Sequence, residues 1–113
     1  MSVTTHVLDV TAGRPAAGVA VALEMRDGNG GWARLGRGTT DQDGRLAGLV
    51  PAERHLEAGV HRLVFDTGAW FAERGLAGFY PEVSVVFEVS DPTRHYHVPL
   101  LLSGHGYTTY LGS

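Results

Sequence analysis

Apolar residues recur at every second position through most of this chain, the spacing of strands that bury one face. "THVLDV" sets His6, Leu8 and Val10 on one side. "VAVALEM" aligns Val19, Val21, Leu23 and Met25, and "HRLVFDT" aligns His61, Leu63 and Phe65. "EVSVVFEV" does the same with Val83, Val85, Phe87 and Val89. In "RHYHVPLLL", Tyr96, Val98 and Leu100 form an apolar face, and His95 and His97 project from the other. "WARLGRGTT" is a weaker strand, and the closing "YTTYLG" reads as a strand that runs to the end of the chain. "GRPAAG", "RDGNGG" and "DQDGR" between these runs carry the Gly, Pro, Asp and Asn of loops and tight turns.

One stretch breaks the alternation. "GAWFAERGLAGF", Gly68 to Phe79, places Trp70, Phe71 and Leu76 at helical spacing, and Gly75 and Gly78 limit its length. Seven or eight short strands with a turn about every ten residues predict an all-β sandwich, with this one short helix packed on its outside. No internal repeat, low-complexity tract or composition shift divides the sequence, so residues 1–113 form a single domain.

Composition narrows the function classes. A chain of 113 residues can bury a core without disulfides or metals. It has no cysteine, which removes thiolate chemistry and is compatible with a reducing, cytoplasmic location. No basic segment leads into an apolar run at the N-terminus, and no apolar stretch approaches the ~20 residues of a membrane span. All nine basic residues are arginines, scattered along a chain of net charge −3. That distribution argues against a nucleic-acid partner.

Candidate chemistry is confined to His6, the His95/His97 pair and Arg45. Residues two apart on a strand share a face, so His95 and His97 project together from the outer surface of a sheet. Histidine near neutral pH serves as base, acid or ligand. With a third histidine the pair has the makings of a zinc site, but no Asp or Glu lies in "HYH" to orient one. The glycines near residues 28–31 lack the strand-to-helix setting of a dinucleotide fingerprint. No GxSxG elbow is present, and Ser103 and Ser113 have no evident triad partners.

Two longer motifs go further. "HVLDVTAGRPAAGVAV", residues 6–21, resembles the N-terminal signature of the transthyretin family: a His or Lys, then V-L-D, a Gly-x-Pro-Ala loop and alternating aliphatics. "YHVPLLLSGHGYTTYLGS", residues 96–113, resembles its second signature. "DGR", "FYPEV" and the helix fall between them in the expected order, so the resemblance spans the chain. Within the family, the hormone carriers differ from the 5-hydroxyisourate hydrolase branch. That branch is marked by a histidine in the first strand, a central arginine, "HVP" in the penultimate strand and a Y-R-G-S tail. His6, Arg45 and His97 match these positions, as do Tyr110, Gly112 and Ser113. Leu111 departs, standing where the branch has arginine, and Ser103-Gly104-His105-Gly106 replaces the family's Ser-Pro-aromatic-Gly turn.

The resemblance implies an eight-stranded transthyretin-like sandwich assembled as a homotetramer, a dimer of dimers with its sites between dimers. It implies a small purine-derived substrate, no cofactor, and hydrolytic opening of the six-membered ring of 5-hydroxyisourate in urate breakdown. His6 and His97 would orient and deprotonate water, with the choice of base between them open. Arg45 would hold the electron-rich ring, Ser113 would position substrate through its hydroxyl or terminal carboxylate, and Tyr110 would shape the tail. His95 would act as a neighbour that tunes the site. A non-catalytic carrier of a small aromatic ligand is the alternative function, and a His6/His95/His97 metal site a further one.

Overall fold

The computed structural model describes residues 2–113, and its architecture is two packed β-sheets with one helix. The spine of the first sheet is β1 (Ser2–Asp9). Val3, Thr5 and Val7 point into the core, and Thr4, His6 and Leu8 face outward. So His6 and Leu8 share a face as the alternation implies, and that face is the outer one. On one side of β1 lie β2 (Arg14–Pro15) and β5 (Arg45–Leu46), both antiparallel to it. On its other side run β8 (His95–His97) and β9 (Leu100–Leu102), both parallel to it. β10 (Tyr107–Thr109) closes that edge against β9.

β8 and β9 keep one register along β1, pairing Ser2 with His95 and Val7 with Leu100. They are one strand interrupted at Val98–Pro99, where proline has no N–H to give the ladder. The break is bridged by the Val98 amide donating to the Thr4 carbonyl (2.9 Å) and the Thr5 hydroxyl donating to the Val98 carbonyl (2.6 Å). This long strand against β1 fixes which residues of the chain's two ends lie side by side.

The second sheet has the order β4-β3-β6-β7, with β3 at Ala20–Arg26, β4 at Trp32–Thr39, β6 at Gly59–Phe65 and β7 at Val83–Val89. All its pairs are antiparallel; the predicted Gly-rich turn joins β3 to β4 as a hairpin, and α1 lies between β6 and β7. Val21, Leu23, Leu63, Phe65, Val83 and Val89 meet Val3, Val7, Tyr96, Val98 and Leu100 of the first sheet in a single core. His61 belongs to that core as its strand pattern requires. It is fully buried against Phe87, its Nδ1 donates to the Gly59 carbonyl at 3.0 Å, and its Nε2 has no partner among the described residues.

The helix α1 (Thr67–Glu73) starts where the Asp66 carboxylate accepts from the Ala69 amide. It is shorter than the predicted Gly68–Phe79 segment. The amides of Arg74, Gly75 and Leu76 turn back onto carbonyls of Phe71 and Ala72 and end it. Trp70 and Phe71 are buried as predicted, and Leu76 is left exposed. The tail also departs from the alternation. The last strand ends at Thr109, and the chain then turns so that Gly112 bridges to His97 of β8.

Candidate active site

The outer face of the first sheet collects the sequence candidates through strand register alone. His6 pairs with Arg45 across β1 and β5, Thr4 pairs with His97 and Ser2 with His95 across β1 and β8. These residues lie within one another's reach because paired residues project from the same side of a sheet. A cavity of about 430 Å³ opens there, lined by Thr4, Arg45, His95, His97 and Ser113, with Asp41 at its margin.

Arg45 is presented by the turn before it. The Asp41 carboxylate accepts from the amides of Asp43 (2.8 Å) and Arg45 (3.0 Å), and the Asp41 carbonyl accepts from the Gly44 amide (2.9 Å). Gly44 sits at φ +76° with the Val7 carbonyl 2.3 Å from where a Cβ would stand. Only glycine allows that left-handed turn to lie so close on β1. The guanidinium of Arg45 is exposed, with no hydrogen bond or ion pair among the described residues. It is a free fork for an anion.

His6 is tied to the same turn. Its Nε2 donates to the Asp43 carbonyl at 2.7 Å, an acceptor that requires the proton on Nε2. His6 thus braces the loop that carries Arg45 and stands beside the cavity rather than in its lining.

His97 lines the cavity with a ring nitrogen available. Its Nδ1 is 2.8 Å from the Thr4 hydroxyl, and its Nε2 has no hydrogen-bond partner among the described residues. Partial burial makes charging the ring costly, and the positive Arg45, then His95 and His6, add to that cost; its pKa is lowered. The neutral imidazole is therefore the favoured form near pH 7. The Gly112 amide donates to the His97 carbonyl at 2.8 Å, which pins the tail to β8 and brings Ser113 to the cavity.

The histidines do not make a metal centre within the chain. Among the described residues no group of three or more His, Asp or Glu side chains is placed to hold an ion. The other two tail candidates lie elsewhere. Tyr110 and Leu111 are exposed and line a separate, mainly apolar cavity with Val85, Phe87 and Val98 at the β7 side of the molecule. Two contributors were not among the sequence candidates, Thr4 and Asp41. Thr4 had a legible signal, since Ser2, Thr4 and His6 fall on one face by strand period.

Residues 3–112 match the model of the HIUase/Transthyretin family. The 5-hydroxyisourate hydrolase of Salmonella dublin is 48% identical over 110 residues, 97% of this chain and 79% of that protein. The mouse 5-hydroxyisourate hydrolase is 43% identical over 111 residues, covering 97% and 93%. Among solved structures, Klebsiella pneumoniae 5-hydroxyisourate hydrolase superposes with a TM-score of 0.84 at 35% identity over the whole of both chains. Sea bream transthyretin in complex with thyroxine superposes at 0.90, also 35% identical, over 97% of this chain and 93% of that one. A hydrolase and a thyroxine-bound transthyretin thus superpose on one backbone, so the fold alone does not fix the activity. No helix of the described residues is long and apolar enough to cross a membrane. By the family model and by relatives at this identity, the chain belongs to the HIUase/Transthyretin family.

Proposed function

We propose that this protein hydrolyses 5-hydroxyisourate, opening the six-membered ring to give 2-oxo-4-hydroxy-4-carboxy-5-ureidoimidazoline. One observation carries the reading: a histidine whose neutral form is favoured and whose Nε2 has no partner, His97, and an unpaired guanidinium, Arg45, line one cavity. That pairing suits addition of water to a carbonyl. His97 Nε2 takes a proton as the water oxygen attacks, and Arg45 holds the anionic ring and the charge that develops on the carbonyl oxygen. The ring C–N bond then breaks, and the proton passes to the departing nitrogen. His6 has its Nε2 proton on the Asp43 carbonyl and is absent from the cavity lining, which supports His97 as the base and His6 as the brace for the arginine loop. Ser113, at the cavity, positions substrate through its hydroxyl or terminal carboxylate.

The working assembly in this reading is a cytoplasmic homotetramer, a dimer of dimers with the outer faces of the first sheets opposed. The exposed Tyr110 and Leu111 then belong to contacts between subunits rather than to the substrate. The experiment is to generate 5-hydroxyisourate with urate oxidase and follow its ultraviolet absorbance with and without the protein. Accelerated decay supports hydrolysis. Decay at the spontaneous rate, with tight binding of an aromatic ligand, supports instead the carrier reading that the likeness to thyroxine-bound transthyretin keeps open. Sedimentation of the purified protein tests the tetramer.

A further inference from the structure

A continuous file of polar groups runs along the outer face of the β1/β8 pair. The Ser2 hydroxyl meets His95 Nδ1, His95 Nε2 is 3.2 Å from the Thr4 hydroxyl, and that same hydroxyl is 2.8 Å from His97 Nδ1. The two imidazoles lie nearly parallel, 13° apart, with centroids separated by 6.4 Å. His95 is exposed and His97 half-buried, so the file leads from the cavity to solvent.

A hydroxyl has one proton to give, so the Thr4 bonds cannot be chosen independently. If His97 is to accept a proton at Nε2, its own proton is on Nδ1 and is donated to Thr4 Oγ1. Thr4 then donates to His95 Nε2, which puts the His95 proton on Nδ1, directed at Ser2 Oγ. In this arrangement only the Ser2 hydroxyl proton has no acceptor within the file, whereas the reverse order leaves the His97 Nε2 proton without one. We propose that Thr4 and His95 form a proton relay that sets the tautomer of His97 and carries the charge of the proton His97 takes from water out to His95 until the ring opens.

The step balances without any added reagent. Water gives a proton to His97 Nε2 and becomes the attacking hydroxide. His97 Nδ1 passes its proton to Thr4 Oγ1 as Thr4 passes its own to His95 Nε2. The charge rests on the exposed His95 while the tetrahedral intermediate lives; when the ring C–N bond breaks, His97 Nε2 gives its proton to the departing nitrogen and the relay runs back, restoring neutral His95 and the starting tautomer. Exporting the charge suits the surroundings, because a cation held on His97 faces Arg45 from β5 and His6 from β1. The remaining charged neighbours are Asp41 in the turn and the Ser113 carboxylate at the cavity margin. Arg94, next to His95 in the chain, lies over the Tyr96 ring. Thr4 acts through His97 and is a positioning residue.

This inference rests on the hydrolytic reading for its rate effects and for the direction of the file, and on the hydrogen-bond file for the linkage between the His97 and His95 tautomers. Both are tested in the full protein. Imidazole ¹⁵N spectra of the wild type should show His97 protonated at Nδ1 and bare at Nε2, and Thr4→Val should lose that preference. Thr4→Val keeps the branched shape of a strand residue on the outer face, so it folds, and it should lower kcat by about 10-fold or more with KM little changed, a fraction of what a positioned base contributes. Thr4→Ser should restore both. His95→Gln supplies an acceptor that cannot take the proton. It should keep the tautomer and lower kcat. A His97 bare at Nδ1 in the wild type, or a Thr4→Val kcat equal to wild type, overturns the relay. If the wild type does not hydrolyse 5-hydroxyisourate at all, the functional reading falls, and the spectra still decide the relay's tautomer.

Discussion

Replacing Gly112 by alanine should damage the site without damaging the fold. The added Cβ would lie 2.7 Å from His97 Cδ2 and 3.3 Å from the His97 carbonyl oxygen. Carbon atoms rest at about 3.5–4.0 Å, so the ring or the tail must give way by roughly 1 Å. Cδ2 adjoins Nε2, the nitrogen proposed to take the proton. The backbones cannot part freely, because the Gly112 amide donates to the His97 carbonyl. If the imidazole yields, a displacement of ~1 Å is of the size that costs about 10²-fold in rate. If the tail yields, one hydrogen bond of about 1 kcal/mol is lost and Ser113 leaves the cavity, which shows as a raised KM. Either way kcat/KM should fall by about 10-fold or more, with circular dichroism and sedimentation unchanged, and the split between kcat and KM tells which part moved. A folded Gly112→Ala protein that opens 5-hydroxyisourate within about twofold of the wild-type kcat/KM would refute the placement of the tail against His97.

Other consequences are open to measurement. His97→Ala should lower turnover by at least ~10²-fold with the assembly intact, whereas Arg45→Ala should act mainly on KM, by roughly 10-fold or more for loss of a charge-assisted contact of about 1.5–3 kcal/mol. Because the neutral form of His97 is favoured, its protonation is shifted below that of an ordinary histidine. The acid limb of kcat/KM should therefore lie below about pH 6.5, and one centred above that value would contradict the burial and the Arg45, His95 and His6 charges that lower it. His61→Phe keeps a ring against Phe87 and removes the unpartnered Nε2, so it should raise stability by about 1 kcal/mol, seen as a higher urea midpoint; a lower midpoint would mean that the Gly59 contact outweighs the orphaned nitrogen.

Much of the fold was legible because burial has period two in a strand. Val21, Leu23, Leu63, Phe65, Val83 and Tyr96 are core residues as the alternation requires, and His95 and His97 lie on the outer face. What alternation cannot carry is pairing across long separations. Nothing in the spacing of "THVLDV" says that Thr4 meets His97, a contact set by the register of two strands 93 residues apart. The helix length was misjudged because Leu76 extends the apolar spacing past Glu73, while backbone bonds after Phe71 end the helix first. The tail was misjudged for a similar reason. Tyr107, Thr109 and Leu111 alternate well, but the ladder with β9 ends at Thr109 and Gly112 finds His97 instead. Asp41 gave no separate signal, because an acidic residue before Gly-Arg reads as any turn residue.

The parallel pairing of β1 with β8 has a kinetic consequence. The contact that positions His97 is among the most sequence-distant in the chain. Closing so long a loop is entropically costly and is repaid only after nearer pairings such as the β3–β4 hairpin have formed. The catalytic face should therefore be among the last parts of the molecule to assemble. In a refolding experiment, recovery of activity should lag behind recovery of β-structure, and the enzyme's own turnover would time the closure of its fold.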